Sequence, residues 1–443
     1  MNKINKPNNM RKYSYGFSLI ELMVAMVIGI IVLLGLVSLF TNSSILNRAQ
    51  TGLAVLQENG RYAITRVKDD IEQAGRKHCA TVAMPSDLIT NWNQGYVMRS
   101  WMVDENVDFS NHSSTNGLPL VNQIELNYQS DPNQLPNATA SVAGQPAYPL
   151  DPRYFIQGHT CGASTCQPGL TTVGSDQATN FRNIGTGDGD RAANTDILTV
   201  RYLDGGNRII NDPTANSFTL DNMVISAGTN PTLVSDCNTA YVSNGNWAGN
   251  SLTMNGTNVP NFNLKTDTRA FDLTNDFHTV SYFVGIDSDP NRSGRMISSL
   301  YRSENGNVQQ LVQGVERFNV FYLAQLQTGH VARLTADQVQ AIQDGGNATI
   351  DGCIIPPNSE ALPGGVRLAN GQGCLWRSIY AMEVHMLLNT VNDSSMKQDE
   401  TYIYSPDSDA RQTPASTLPS GLSRDRMYRR EFTAIIPIRS YTL

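Results

Sequence analysis

The feature that most constrains this chain is an apolar run near its N-terminus, FSLIELMVAMVIGIIVLLGLVSLF at residues 17–40. As a helix rising about 1.5 Å per residue, the run would extend about 36 Å, enough to cross a hydrocarbon core of about 30 Å. Residues 1–16 hold no acidic residue and four basic ones, Lys3, Lys6, Arg11 and Lys12. Because basic flanks stay on the cytoplasmic side, we expect the rest of the chain to lie outside the cytoplasm.

The apolar run contains one ionisable residue, Glu21. A carboxylate in a membrane helix costs about 2.5–3.5 kcal/mol on insertion scales, so Glu21 should either reach the interface or have a cationic partner. Cleavage after Gly16 would create such a cation, the α-amino group of Phe17, within one helical turn or on a staggered neighbouring helix. The run is longer than the apolar region of about 7–15 residues in a secretory signal peptide, and no small-x-small site closes it.

Residues 16–24, GFSLIELMV, resemble the prepilin motif of type IV pilins and type II secretion pseudopilins. The resemblance implies cleavage after Gly16 by a prepilin peptidase and N-methylation of Phe17. It also implies that Glu21 pairs with the N-terminus of a neighbouring subunit during assembly. The fold it implies is α+β and pilin-like: a long N-terminal α-helix, membrane-spanning in its first half, packed on an antiparallel β-sheet head with long loop insertions.

Beyond the apolar run, the chain turns polar but keeps a helical period. An apolar stripe with spacings of three, four and seven runs through Leu46, Ala49, Leu53, Leu56, Ala63, Val67, Ile71 and Ala74. Gly60 fills the gap in the stripe, and Gly75, followed by two cations, predicts the helix end. We expect the stripe to pack on the chain's own head rather than in a coiled coil. The predicted organisation is a leader at 1–16, a membrane and filament-core helix at 17–40, its amphipathic continuation at 41–76 and a head at 77–443.

Apolar alternation predicts strands in the head. They are Gln123–Tyr128, Asp196–Tyr202, Ser217–Ile225, Thr279–Val284, Arg317–Leu323, Ser378–Leu388 and Glu431–Arg439. A capping box beginning at Thr335 predicts a short helix that ends at Gly345-Gly346. Stretches rich in Asn, Gly, Pro, Ser and Thr separate these elements, and we interpret them as excursions from one modest sheet: 80–120, 129–190, 226–275 and 345–375.

Five segments of the head resemble, in order, the PilW family of minor pilins. They are TDILTVRY (195–202), SYFVGIDSD (281–289), SSLYR (298–302), LVQGVERFNVFYL (311–323) and RREFTAIIPIRS (429–440). The order of the segments, together with the prepilin start, carries this resemblance, which spans the helix and sheet segments but not the insertions. It implies that the chain is a minor pilin of a type IV pilus.

The chain has six cysteines, all on the side predicted to be extracytoplasmic, where disulfides form. Local spacing favours the pairs Cys161–Cys166 and Cys353–Cys374, which leaves Cys79–Cys237. Metal binding is the alternative, but no CxxC or HxxxH pattern supports a zinc site, and we expect no metal and no cofactor.

Two acidic clusters could offer oxygen ligands to calcium: Asp188, Asp190 and Asp196, and Asp287 with Asp289. Neither fits the EF-hand spacing, and Asp-Gly and Asp-Pro are ordinary turn sequences, so we favour turns. No GxSxG, HExxH or phosphate-loop motif is present, and the SxxK spacing of Ser394 and Lys397 lacks companion motifs. The sequence therefore predicts a protein that is not an enzyme.

The low charge content of the chain bears on its possible partners. Charged residues make up only 16% of the chain, with net charge −7 and pI near 5.4, so no nucleic-acid partner is expected. Removing the leader's four positive charges would give −7 − 4 = −11. We expect a single-pass inner-membrane protein with a periplasmic head that joins the pilus, with prepilin peptidase, other minor pilins and the major pilin as partners. The alternatives are a type II secretion pseudopilin and, from another class, a membrane-anchored adhesin.

Overall fold

The protein is described by a computed structural model that covers the N-terminal helix and most of the sheet elements of the head. The residues described are 18–76, 78, 155–170, 181–210, 216–223, 227–236, 240–255, 259, 262, 267–326, 330–342, 374–394, 400–414, 422 and 426–439. Helix α1 followed by antiparallel sheets confirms the predicted α+β, pilin-like fold. The predicted strand Gln123–Tyr128 lies outside the described residues.

Helix α1 runs from Leu19 to Gln73 without a break. It ends where the sequence predicts, because Gly75 adopts φ of 75°, a left-handed conformation that side chains disfavour. The Gly75 amide donates to the carbonyl of Arg201 (2.9 Å), and the Arg76 carbonyl accepts from the amide of Leu203 (2.7 Å). The chain leaving the helix is thereby fastened to the first sheet of the head.

The first sheet has six strands. Their bounds are β1 Ile156–Cys161, β2 Cys166–Gln167, β3 Ile197–Leu203, β10 Phe277–Ser288, β11 Met296–Glu304 and β12 Asn307–Gln313. Every pairing is antiparallel, in the order β12-β11-β10-β3-β1-β2. Strands β1 and β2 lie in a stretch that we predicted to be loop, because strands this short leave little alternation in the sequence.

The second sheet has the order β14-β13-β15-β18 and is also antiparallel. Its strands are β13 Val315–Gln325, β14 Val331–Leu334, β15 Ile379–Asn389 and β18 Arg429–Pro437. A hairpin of β16 Tyr402–Tyr404 and β17 Ser408–Gln412 lies against β18. Helix α2, Ala336–Ala341, begins at Thr335 as predicted but ends before Gly345, and a 3₁₀ turn covers Cys374–Ser378.

One core joins α1 to both sheets. The helix lies against β18 and β15 of the second sheet and against β12 and β3 of the first. On the helix this core holds Leu56, Ala63, Val67, Ile71 and Ala74. The prediction was wrong for the upstream part of the stripe, because Leu46 and Leu53 are exposed and Ala49 is only partly buried. Leu56 is the first buried apolar residue of the stripe, and the described head also approaches the helix at Gly52, where an added Cβ would lie 2.3 Å from Ser394 Oγ.

The excursion predicted at 226–275 is instead folded into strands. Six strands between β3 and β10 follow the order β4-β9-β6-β7-β8-β5: β4 Asn207–Arg208, β5 Ser217–Thr219, β6 Gly228–Ser235, β7 Ala240–Ala248, β8 Ser251–Met254 and β9 Arg269–Asp272. A bridge between Ile209 and Leu220 joins the ends of β4 and β5, so the sheet closes into a small barrel. Strand β5 stops at Thr219, well short of the predicted Ile225.

The barrel has its own core and a defined place on the head. Its interior includes Phe218, Trp247 and Leu252, and the indole Nε1 of Trp247 donates to Thr232 Oγ1 (2.8 Å). The prediction failed here because the strands are rich in Asn, Gly, Ser and Thr, a composition that marks loops. The barrel occupies the tip of the β3–β10 pair, beside the C-terminal end of α1.

Candidate functional site

The N-terminal half of α1 is a bare apolar helix. Every residue from Leu19 to Phe40 is exposed in the part of the chain that the structure describes. This segment extends about 33 Å at about 1.5 Å per residue, and α1 is long and apolar enough to cross a membrane. An unbroken apolar surface of this size needs an apolar environment, either lipid or other helices.

Glu21 lies in the first turn of this bare helix. The Ser18 carbonyl accepts hydrogen bonds from the amides of Glu21 (3.0 Å) and Leu22 (3.1 Å), which closes the first turn. The carboxylate is exposed, and it forms no ion pair within the part of the chain that the structure describes. Its position at the positive end of the helix dipole suits a negative charge. Gly16 and Phe17 lie outside the described residues, so cleavage and the amine–carboxylate pair stay predictions.

Comparison with protein-family models decides what this segment is. Residues 11–37 match the prokaryotic N-terminal methylation motif. The matched stretch contains the predicted cleavage and methylation positions, Gly16 and Phe17, as well as Glu21 and much of the exposed helix. Neither curated proteins nor solved structures give a match to this chain.

The methylation motif supports a type IV pilin-like role, which includes the pseudopilins. The structure agrees with this role, because the apolar helix fits a single-pass membrane anchor and the remaining described chain forms a head. The match stops at residue 37 and therefore does not extend to the head. The PilW resemblance of the head segments consequently stays a prediction.

A close approach between α1 and β18 fixes the helix to the head. A Cβ added at Gly60 would lie 2.3 Å from Cζ of the Phe432 ring, far inside contact distance. Gly60 is thus needed because the ring fills the space that a side chain would take. The glycine that interrupts the apolar stripe in the sequence is thus a position at which a side chain of the sheet closely approaches the helix.

Gly60→Ala is therefore expected to lower the unfolding free energy of the head by about 1–3 kcal/mol, the usual effect of overpacking. Unfolding of the detergent-solubilised full chain, followed by tryptophan fluorescence, to which the buried Trp247 and Trp376 contribute, measures the change. Gly35→Ala is the control, because nothing lies within 4 Å of its added Cβ. Equal stability of the two variants would contradict the close-contact account.

A buried ionic cluster joins the same helix to the first sheet. Asp70, 1% exposed, accepts hydrogen bonds from Nε (2.7 Å) and Nη2 (3.1 Å) of Arg302 on β11. The hydroxyls of Tyr202 (3.2 Å) and Tyr282 also donate to Asp70. Burial alone would lower the pKa of Arg302, but its hydrogen bonds to Asp70 and Glu304 outweigh burial and raise it. The guanidinium is therefore charged at all ordinary pH values.

Sequence reasoning missed this cluster, although one signal was present. Asp70 is in phase with Ala63, Val67 and Ala74, so it lies on the apolar stripe itself. An acid on an otherwise apolar helix face predicts a buried partner, because a buried charge without one is costly. Its partner, Arg302, is 232 residues away and carries no signal of its own.

The cluster continues to the surface through Glu304. Its Oε2 accepts a hydrogen bond from Nη1 of Arg302 (2.5 Å), and its Oε1 lies 2.9 Å from Nδ1 of His278. The hydrogen bond with His278, reinforced by Arg302, lowers the pKa of Glu304 from 4.5 to about 2. A carboxyl group whose pKa is lower in the folded than in the unfolded state stabilises the fold at any pH above its unfolded-state pKa. This stabilisation is lost as the pH falls through the folded-state pKa.

Glu304→Gln is accordingly expected to reduce the acid-induced loss of stability between pH 4.5 and about 2. Urea midpoints measured across this window, for the wild type and the variant, give the difference. Glu58→Gln, on the exposed side of α1, should keep the wild-type pH profile. Parallel profiles for all three proteins would show that Glu304 does not titrate as described.

The structure resolves one of the three predicted disulfides. Cys161 and Cys166 are bonded, which confirms that pair. Cys79, Cys237 and Cys353 lie outside the described residues, as does the side chain of Cys374, so the other two pairs stay predictions. Lys397 of the SxxK spacing is also outside them.

The acidic clusters serve turns and ion pairs. Three of the carboxylates accept hydrogen bonds from backbone amides. The pairs are Asp188 with Ser288 (2.7 Å), Asp190 with Gly187 (2.8 Å) and Asp289 with Asn291 (2.8 Å). Asp287 pairs with Arg182 (2.9 Å), and Asp196 accepts from the amides of Val320 and Cys161. Among the described residues no group of three or more His, Cys, Asp or Glu side chains could hold a metal ion.

Proposed function

We propose that this protein is a minor pilin, a structural subunit that takes part in type IV pilus assembly in an initiating or tip-proximal complex. The observation that carries the proposal is the division of α1 into an exposed and a packed part. From Leu19 to Phe40 the helix carries most of the methylation motif and is exposed, and from Leu56 onward it is packed into a large head. A subunit built this way can donate its helix to a bundle while the head stays outside.

Assembly in this proposal follows from the chemistry of the N-terminus. Prepilin peptidase cuts after Gly16 and Phe17 becomes N-methylated, which leaves a cationic amine. Transfer of the helix from lipid into a bundle brings Glu21 of one subunit beside the amine of another. A charge pair formed in a low-dielectric interior favours one register over its neighbours, because any other register leaves both charges unpaired.

A low copy number follows from the bulk of the head. The barrel at the tip of the β3–β10 pair enlarges the head beside the C-terminal end of α1. Repeating such a head along a tightly packed shaft would be difficult, whereas one copy at an end is easily accommodated. The order of the PilW-like segments also favours a minor pilin. The partners proposed are other minor pilins and the major pilin.

The proposed location is the inner membrane before assembly, with a periplasmic head, and the pilus afterwards. The basic leader and the single apolar span support this topology. The function proposed is structural rather than enzymatic.

Processing provides the first test. Coexpression with a prepilin peptidase is expected to yield an intact mass lacking residues 1–16 and carrying one added methyl group, since Gly16 is the proposed last residue of the leader. Expression without the peptidase should give the full-length mass. Gly16→Val is the control, because a branched side chain at the cut should leave the leader in place. A processed N-terminus other than Phe17 would overturn the proposal.

Deletion of the gene distinguishes a type IV pilus subunit from a type II secretion pseudopilin. Loss of surface pili and of retraction-dependent motility is expected, with restoration by the wild-type gene. Intact pili combined with loss of exported enzymes would instead assign the chain to a type II secretion pseudopilus. Unchanged pili and unchanged secretion, in a strain without a second copy of similar sequence, would contradict both assignments.

A further inference from the structure

A buried arginine lies against the disulfide at the edge of the first sheet. Nη1 of Arg191 is 3.2 Å from Sγ of Cys161, and Nη2 is 3.3 Å from Sγ of Cys166. Arg191 is 1% exposed, and its Nε has no hydrogen-bond partner within the described part of the chain. Burial lowers the pKa of Arg191 to about 10, and no carboxylate among the described residues opposes that effect.

A buried guanidinium stabilises a disulfide only weakly. Buried arginines are ordinarily paired with carboxylates, because an uncompensated buried charge is costly. Sulfur is only a weak acceptor, so a neutral disulfide compensates the guanidinium incompletely. Reduction would replace it with a thiolate, a full negative charge at the same place. Arg191 therefore stabilises the reduced, ionised state more than the oxidised one.

Among the described residues, titratable groups near the sulfurs include His159, Asp196 and Tyr301, which packs in the same buried cluster. His159 is neutral at physiological pH, because burial lowers its pKa to about 4, and its ring Nδ1 is 2.8 Å from the carbonyl oxygen of Pro168. Asp196 would oppose a thiolate when charged, but its oxygens accept from the amides of Cys161 (3.2 Å) and Val320 (3.0 Å). The guanidinium touches both sulfurs directly, so its effect dominates.

We propose that Cys161 and Cys166 form a thiol–disulfide exchange site, opened by a dithiol reductant, in which Arg191 is the positioning residue that holds the leaving thiolate. The inference is independent of the pilin assignment, because it rests only on these three side chains. It identifies a site of reversible covalent modification in the head.

The exchange proceeds in two balanced steps. A thiolate of the dithiol attacks Sγ of Cys166, which is 6% exposed, so the short edge strand β2 must open locally beside exposed Gln167 to admit it. The Cys161–Cys166 bond breaks, and its electron pair leaves on Sγ of Cys161 as a thiolate held by Arg191. The second thiol of the reductant, once deprotonated, then attacks the mixed disulfide. The reductant leaves as a cyclic disulfide, Cys166 leaves as a thiolate that takes up a proton, and two electrons have passed to the pair.

The test uses the detergent-solubilised full chain in buffers of reduced and oxidised dithiothreitol. Thiols are trapped by alkylation, and peptide masses report Cys161 and Cys166 separately from the other cysteines. Arg191→Met is expected to shift the equilibrium at least tenfold toward the disulfide, which corresponds to about 30 mV. Arg208→Met, an exposed arginine of the barrel, should leave it unchanged.

The thiol pKa of Cys161 is a second readout, which distinguishes stabilisation of the thiolate by Arg191 from a merely structural role of that residue. In the reduced wild type, the pH dependence of Cys161 alkylation should give a thiol pKa below about 7.5, and Arg191→Met should return it toward about 8.5. A wild-type value of about 8.5 or more overturns the proposal even if the variant fails to fold. Loss of the head's tryptophan fluorescence in the state in which peptide masses show that only Cys161 and Cys166 are reduced also overturns it, because an exchange site must survive opening.

Discussion

Replacing Asp70 with asparagine is expected to lower the unfolding free energy of the head by about 3–5 kcal/mol, the usual effect of removing one partner of a buried ion pair. The variant leaves the Arg302 guanidinium buried without the carboxylate that accepts from its Nε (2.7 Å) and Nη2 (3.1 Å). A loss of this size is a large share of the total stability of about 5–15 kcal/mol expected of a domain.

Denaturant unfolding of the full chain in detergent measures the effect through Trp247 and Trp376, which are both buried in the head. Asp69→Asn is the matched control, since Asp69 is adjacent on the same helix but exposed. The double variant Asp70→Leu with Arg302→Met should recover part of the loss, because it removes both charges. Equal stability of Asp70→Asn and Asp69→Asn would show that the cluster does not hold the helix.

The position of this cluster gives it a mechanical consequence. In the proposed filament, the bare half of α1 is held by neighbouring helices, and the head is held by the same helix below Leu56. A force between shaft and head would therefore pass through the packing of α1 on both sheets, to which the contacts of Gly60 and Asp70 contribute. Weakening either contact is expected to loosen the attachment of the head without altering the membrane segment.

Glu21→Gln is expected to reduce recovery of the protein in sheared pili at least tenfold, while leaving its amount in the membrane fraction unchanged or higher. The amide removes the charge that, in the proposed assembly, pairs with the neighbouring amine, and it lowers a membrane insertion penalty of about 2.5–3.5 kcal/mol. Membrane insertion and filament assembly should thus change in opposite directions, which a general folding defect would not produce.

Immunoblots of sheared and membrane fractions, normalised to the wild type, measure both quantities. Glu58→Gln changes the same residue type on an exposed position of the same helix and should have no effect. Wild-type recovery of Glu21→Gln in sheared pili would show that the carboxylate does not select the register. This prediction rests on the proposed function, whereas the stability of Asp70→Asn does not.

The two largest gaps between the predicted and the observed head share a cause. The barrel strands β6 to β9 were predicted to be loop, because strands rich in Asn, Gly and Ser are made stable by closure of the barrel and by residues such as Trp247. The stripe positions Leu46 and Leu53 were predicted to be packed, because periodicity marks an apolar face without saying where the partner ends. In both cases the deciding contacts join residues far apart in the chain.

The sequence by itself determined the features that depend on local order. The apolar run, the prepilin motif around Glu21, the helix end at Gly75 and the main strands of both sheets follow from periodicity, composition and backbone preference over a few residues. Only the tertiary structure decided that Asp70 meets Arg302, that β4 and β5 close a barrel, and that Arg191 lies on the Cys161–Cys166 disulfide. These contacts depend on how separate segments pack, and burial then converts ordinary charged side chains into strongly interacting ones.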